Sequence, residues 1–256
     1  IGEKFLLDYY LTTRRYSVSM RDSGFPNMDI PNFVMTKFDI LDNPSSKYVY
    51  INNQKAIQYN VLKAVLMPMS TGKYTINSQK LLAMLNTDSF FGTQEEVWSD
   101  AVDIEVLPLP EVNKPNNFSG IIGKLNVDMI SNERQINYGD TLVLNIKFFG
   151  DCNLDTLQSI KDKYKGVDFQ IFESEKEKVE TIKNGKYYAE RNFELIIVPK
   201  KSGKLTFPEV KIPYFNPDSE KYEEAIIGGF EVEVTGNSSQ NIADQDTRSK
   251  ISIKSV

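Results

Sequence analysis

A nine-residue stretch occurs twice in this chain, and that duplication constrains the fold more than any other feature. Pro68-Met69-Ser70-Thr71-Gly72-Lys73-Tyr74-Thr75-Ile76 returns as Pro199-Lys200-Lys201-Ser202-Gly203-Lys204-Leu205-Thr206-Phe207, with Pro, Gly, Lys and Thr in register and apolar residues at matched places. Internal similarity at a fixed offset marks duplicated structural units. Pro68, Gly72 and Lys73 are therefore read as the same inter-strand turn as Pro199, Gly203 and Lys204.

The surroundings of the two copies repeat as well. A long stretch of strand character precedes each, Ala56 to Leu66 and Lys186 to Val198, entered through Asn52-Asn53 and Asn184-Gly185. Asn-Gly suits a two-residue type I′ hairpin, because both central residues take left-handed backbone conformations. Further upstream, Gly2-Glu3 before Phe5-Leu6-Leu7 matches Gly139-Asp140 before Leu142-Val143-Leu144. Each repeat closes on an alternating segment, Val102 to Val106 and Phe230 to Val234, whose period of two predicts one buried face and one wet face.

No long segment shows helical periodicity. Leu154 to Tyr164 is the one stretch that reads as a short helix or an irregular crossover. An immunoglobulin-type domain takes about 100 residues, so the 256-residue chain is read as all-β, with two tandem immunoglobulin-like β-sandwich domains. The first spans residues 1–107 and the second 122–235. Between them lies a linker, 108–121, stiffened by Pro108, Pro110 and Pro115, and a polar tail occupies 236–256. Leu125 to Ile130 supplies a strand ahead of Gly139, whereas nothing precedes Gly2-Glu3. The first sandwich is expected to lack its N-terminal strand, to have fewer strands than the second and to carry a weakened edge, as in a fragment of a longer protein.

Composition removes most enzyme classes. Histidine is absent, which takes away the usual general base and the commonest transition-metal ligand. The single cysteine, Cys152, has no partner for a disulfide or a Cys/His pair and is expected to be a small buried residue. Net charge is −5 with the signs intermixed, so no cationic field favours nucleic acid. No apolar run is long enough to span a bilayer as a helix. The expectation is a protein that is not an enzyme and holds no metal or cofactor.

Three clusters invite a chemical reading and each has a plainer one. Gly72-Lys73 lacks the second glycine and the following Ser/Thr of a phosphate-binding loop. Asn216 to Glu223 gathers oxygen ligands without the spacing of a calcium loop, and reads as a Pro-Asp turn. Glu173 to Glu180 interleaves acids with Lys176 and Lys178, as a solvated hairpin does. Phe90, Phe91 and Trp98, in a loop-like stretch around Gly92, are the candidate interaction residues, because loop aromatics serve sugar and protein recognition. They otherwise cap the sandwich core.

Several words in order along residues 1–235 resemble the bacterial BatD-like oxygen tolerance family of the aerotolerance operon. They are Gly2-Glu3-Lys4-Phe5, Leu107-Pro108-Leu109-Pro110 leading to Phe118-Ser119-Gly120, and Gly139-Asp140. Gly150-Asp151-Cys152-Asn153-Leu154, the Pro199 to Phe207 segment, and Pro213-Tyr214-Phe215-Asn216-Pro217 followed by Tyr222 complete the set. The family more often has Gly where Cys152 stands. The resemblance implies immunoglobulin-like domains on the periplasmic face of a bacterial membrane, held by an anchor outside this chain. It also implies membership of an envelope complex with von Willebrand factor A-domain proteins and MoxR-type ATPases. The expected role is that of a non-catalytic envelope scaffold or protein-interaction module. The alternative is a carbohydrate-binding or surface adhesion module resting on Phe90, Phe91 and Trp98.

Overall fold

The computed structural model describes residues 1–14, 17–24, 28, 30–38, 45–86, 92–131, 134–164 and 168–236. The protein is all-β, and among the described residues the one helical element is a 3-10 turn at Lys161–Lys163. Leu154 to Tyr164 is thus an irregular crossover that ends in this turn. The chain divides into two compact units, Ile1–Asn113 with Thr181–Tyr187, and the chain from Lys114 onward without that short segment.

In the first unit the strands are β1 (Phe5–Thr13), β2 (Ser17–Gly24), β3 (Phe33–Phe38), β4 (Ser46–Ile51), β5 (Gln54–Pro68), β6 (Gly72–Ile76), β7 (Lys80–Asn86), β8 (Thr93–Trp98) and β9 (Val102–Val106). β5 is the spine, with β1 along one side and β3 and β4 along the other. Its second half buries Val61, Leu62, Ala64, Val65 and Leu66, a continuous apolar run of the kind that a strand covered on both faces requires. β2-β7-β8 and β6-β9 form the facing layers. One core cluster joins Leu11 and Val61 to Val18, Leu81 and Ala83, and a second joins Phe33 and Leu66 to Ile76 and Val106.

In the second unit β10 (Gly123–Ser131), β11 (Gln135–Asn137), β12 (Leu142–Cys152), β13 (Phe169–Lys183), β14 (Lys186–Pro199), β15 (Gly203–Phe207), β16 (Val210–Asn216), β17 (Lys221–Ile227) and β18 (Phe230–Thr235) follow. One sheet runs β10-β12-β14-β13 and another β11-β18-β15, with β16-β17 as a separate hairpin. Counted along the unit, the four-stranded order is first, third, fifth and fourth, and the short β11 runs parallel to β18. Phe207 on β15 stacks on Phe230 of β18 at 4.5 Å between ring centroids and meets Phe169 of β13 at 4.7 Å, so rings from both layers fill the core.

The duplicated words occupy duplicated positions. β5 and β14 are the long central strands, β6-β9 and β15-β18 are antiparallel pairs, and β7-β8 and β16-β17 are hairpins. The turns into the central strands are left-handed at both residues, with φ of 50° and 60° at Asn52 and Asn53 and of 51° and 75° at Asn184 and Gly185.

Three expectations are corrected in detail. Among the described residues each unit carries nine strands, β1–β9 and β10–β18, so the first does not have fewer. The difference lies in arrangement: β12 is covered by β10, whereas its counterpart β1 ends its sheet. Val102 is exposed although Val106 is buried, because β9 leaves the core at its first residue. The end of the expected linker, 108–121, does not behave as free chain, since Ile121 is buried and Phe118 packs edge-on against Tyr222. Glu173 to Glu180 lies, as expected, on a largely exposed hairpin arm, β13 paired with β14 across the Asn184-Gly185 turn. Of the expected tail, residues 237–256 lie outside the described residues.

Candidate functional site

The repeated turns are structural. Pro68 ends β5 buried, and Gly72 and Gly203 begin β6 and β15 at φ of 137° and 106°, backbone that favours glycine. The Tyr74 hydroxyl meets Ser70 Oγ at 2.6 Å and lies 3.1 Å from the carbonyls of Ser70 and Thr71, tying the turn to its own strand. Lys73 lies across from Glu105, and Lys204 reaches Glu231 at 2.8 Å. These amides and lysines serve the sheet and form no phosphate cradle.

The oxygen cluster at the β16-β17 turn is consumed internally. Glu223 accepts hydrogen bonds from Tyr214 at 2.7 Å, Ser219 at 2.7 Å and Asn216 at 3.0 Å. Asn216 Oδ1 accepts the Asp218 amide at 3.1 Å. The Ser219 and Tyr214 hydrogen bonds hold the Glu223 carboxyl below the usual carboxylate range, because donors aimed at the charged form stabilise it. A carboxylate so engaged fixes the hairpin end.

A second network fastens the irregular crossover. Arg191 on β14 forms a two-pronged pair with Glu175 of β13, at 2.8 Å from both Nε and Nη2. Its Nη1 donates to the carbonyls of Leu154 and Leu157 at 3.0 and 2.9 Å. The Glu173 carboxylate accepts the amides of Ile160 and Lys161 at 2.7 Å each. The crossover has no sheet partner, so these side chains supply the hydrogen bonds its backbone needs.

Cys152 is 1% exposed, and its thiol is pushed up to about 12 by burial and by the Asp151 charge. A nucleophilic or redox-sensing thiol needs the opposite shift and solvent access. Gly123 shows how tight the place is: it pairs with Cys152 at φ 114°, and a Cβ there would sit 2.1 Å from the Asp151 carbonyl oxygen. Among the described residues no group of three or more His, Cys, Asp or Glu is placed to hold a metal ion. The cavity between Phe118, Thr156, Leu157, Ile160 and Ile212 encloses about 50 Å³, against the 300 Å³ or more typical of a small-molecule site.

Of the aromatic trio, Phe90 and Phe91 lie outside the described residues. Trp98 does not sit in a loop but ends β8, where it pairs with Lys80 and is 60% exposed. The structure reveals a larger aromatic surface that the sequence reading missed. Tyr48 and Tyr50 on one face of β4 are 66% and 74% exposed, while Ile51 and Tyr10, the latter on β1 across β5 in the same sheet, are exposed on the opposite face. Lys55 places its ammonium 3.7 Å over the Tyr48 ring, and Lys47 lies 5.7 Å from the Tyr10 ring. The signal was present as Lys47-Tyr48-Val49-Tyr50-Ile51 ahead of the Asn52-Asn53 turn, a strand whose exposed face is aromatic.

No curated protein matches the chain. A protein-family model described as "BatD DUF11 like domain" matches residues 129–242, from the end of β10 through β18. Its matched segment contains Gly139-Asp140, Gly150 to Leu154 and the second copy of the duplicated turn. Residues 129–242 of the all-β chain therefore match an immunoglobulin-like domain of the BatD type.

Proposed function

We propose that this chain is a non-catalytic interaction module of a bacterial envelope complex connected with aerotolerance. The observation that carries this reading is the BatD-type domain. The placement of exposed aromatics supports it, since Tyr48, Tyr50 and Trp98 stand on strand surfaces where a macromolecule can dock. The polar clusters have structural duties, the thiol is buried, and the interaction surface is made of sheet edges. By family resemblance the partners are von Willebrand factor A-domain proteins and a MoxR-type ATPase, met on the periplasmic face of the membrane. Affinity isolation of the tagged full-length protein under mild extraction is expected to recover these proteins. Recovering none of them overturns the reading.

The exposure of Trp98 favours a second reading, a carbohydrate-binding or adhesion module. A glycan array separates the two: specific binding that is lost in Trp98→Ala supports the sugar reading, and a blank array removes it.

A further inference from the structure

We propose that the outer edge of β4 is a strand-addition site for an extended, acidic segment of a partner polypeptide. The proposal rests on the reading of the chain as an interaction module and names where and how it binds.

Backbone phase comes first. The two-residue turn at Asn52 and Asn53 makes Ile51 and Gln54 a hydrogen-bonded pair, and such pairs alternate along an antiparallel ladder. The Asn60 amide donates to the Ser45 carbonyl at 3.2 Å, which fits the same phase. Ser45, Lys47, Val49 and Ile51 therefore bond inward to β5, and Tyr48 and Tyr50 turn their N–H and C=O groups outward. Among the described residues no strand pairs with that side of β4. An incoming chain finds two donors and two acceptors already in line.

Side chains then define the occupant. Tyr48 and Tyr50 lie on one face with Lys55, which is directly opposite Tyr50, while Lys47 lies on the other face. Residues 46–61 contain these two lysines and no Asp or Glu, in a chain whose net charge is −5. A cationic, aromatic edge selects a segment that carries carboxylates beside apolar or small residues. A second copy of the same edge would bring two surfaces of like sign together, which disfavours self-pairing.

The corresponding edge of the second unit differs in its side chains. β13 is the outer neighbour of β14 as β4 is of β5, but its flank carries ion pairs: Glu175 with Arg191, Lys176 with Glu194, and Lys178 with Asp155. Charged edges of this kind discourage strand addition.

The test places a photo-cross-linking benzoylphenylalanine at Tyr50 of the full-length protein in its own cells, and at Phe172 of β13 as a control. The expected result is a cross-link from position 50, and none from position 172, to a segment of another polypeptide containing Asp or Glu. The yield should fall by about tenfold or more in the K47E/K55E variant, as loss of the complementary charge implies. Tyr48→Pro, which removes one outward N–H, should lower it similarly. K47E/K55E keeps the hairpin backbone if the proline variant misfolds. A cross-link to a second copy of this chain, to a glycan or to lipid overturns the proposal, as does a yield indifferent to charge reversal or no cross-link at all. If affinity isolation recovers the same partners from wild type and K47E/K55E, the edge assignment fails while the interaction-module reading stands. If it recovers none from wild type, that reading fails.

Discussion

β4 and β13 occupy equivalent places beside the central strands of the two units, yet their surfaces are opposite in kind. β13 spends its acids on Arg191, on the crossover amides and on neighbouring lysines, and its ring at Phe169 enters the core. β4 spends none of its large side chains internally: Tyr48 and Tyr50 are mostly in solvent. The cores differ in the same direction. Of the largest fully buried side chains among the described residues, Leu66 belongs to the first unit, whereas Phe148, Phe207, Leu144, Ile146, Leu195 and Ile197 belong to the second. Among the described residues, one copy of a duplicated design holds most of the large buried side chains, and the other presents exposed tyrosines on β4. A repeat fixes strand order without fixing what the outer positions are for.

The largest effect that would sharpen this contrast is at Phe207, which touches three aromatic rings. Phe207→Ala should destabilise the second unit by about 3–5 kcal/mol. Hydrogen exchange should show amide protection falling in β12, β14 and β18 while β5 keeps its own. Equal loss in β5 would break the picture of two separately held cores.

Arg191→Met comes next. It leaves the Leu154 and Leu157 carbonyls and Glu175 without their shared donor, at a cost of about 1–3 kcal/mol. Urea unfolding should report the loss, and limited proteolysis should cut first between Asn153 and Tyr164. Unchanged protease resistance there would show that the buried Leu154 and Ile160 hold the crossover without the arginine.

Acid should act on the second unit through its depressed carboxyls. Hydrogen bonding by Arg191 lowers Glu175, and hydrogen bonding by Ser219 and Tyr214 lowers Glu223. A group depressed in the folded state contributes stability that is complete above its unfolded value and is lost as pH falls through the folded one. Thermal midpoints followed downward from neutral pH should drop through and below the ordinary carboxylate range. Glu223→Gln should flatten that decline. A decline of unchanged depth in this variant would remove Glu223 from the account.

The smallest effect is expected at the exposed edge. Tyr48→Thr and Tyr50→Thr should shift unfolding free energy by no more than about 0.5 kcal/mol, as surface changes usually do. A larger loss in denaturant titrations would mean that these tyrosines serve the fold, and the contrast between the two edges would lose its basis.

Much of the fold was legible because hydrophobic period and turn chemistry are local. Phe230-Glu231-Val232-Glu233-Val234 buries alternate residues as its pattern predicts, and Asn184-Gly185 forms the expected left-handed turn. Val102 broke the same rule, because whether a strand's first residue meets the core depends on what lies opposite. The candidate site was less legible. Trp98 stands out by residue type, and its place at the end of β8 rather than in a loop follows from pairing with Lys80, eighteen residues away in the chain. Tyr48 and Tyr50 were overlooked because alternation alone does not say which aromatic face is buried.

The sequence by itself determined the strand content, the duplicated turns, the matched order of elements and the lack of histidine chemistry. All of these depend on residue type and spacing along the chain. Only the tertiary structure decided that Glu223 and Arg191 are fasteners, that Cys152 is sealed against Gly123, and that β4 presents an aromatic, cationic edge. Each of those depends on partners brought together from distant strands, and burial and electrostatics act through space rather than along the sequence.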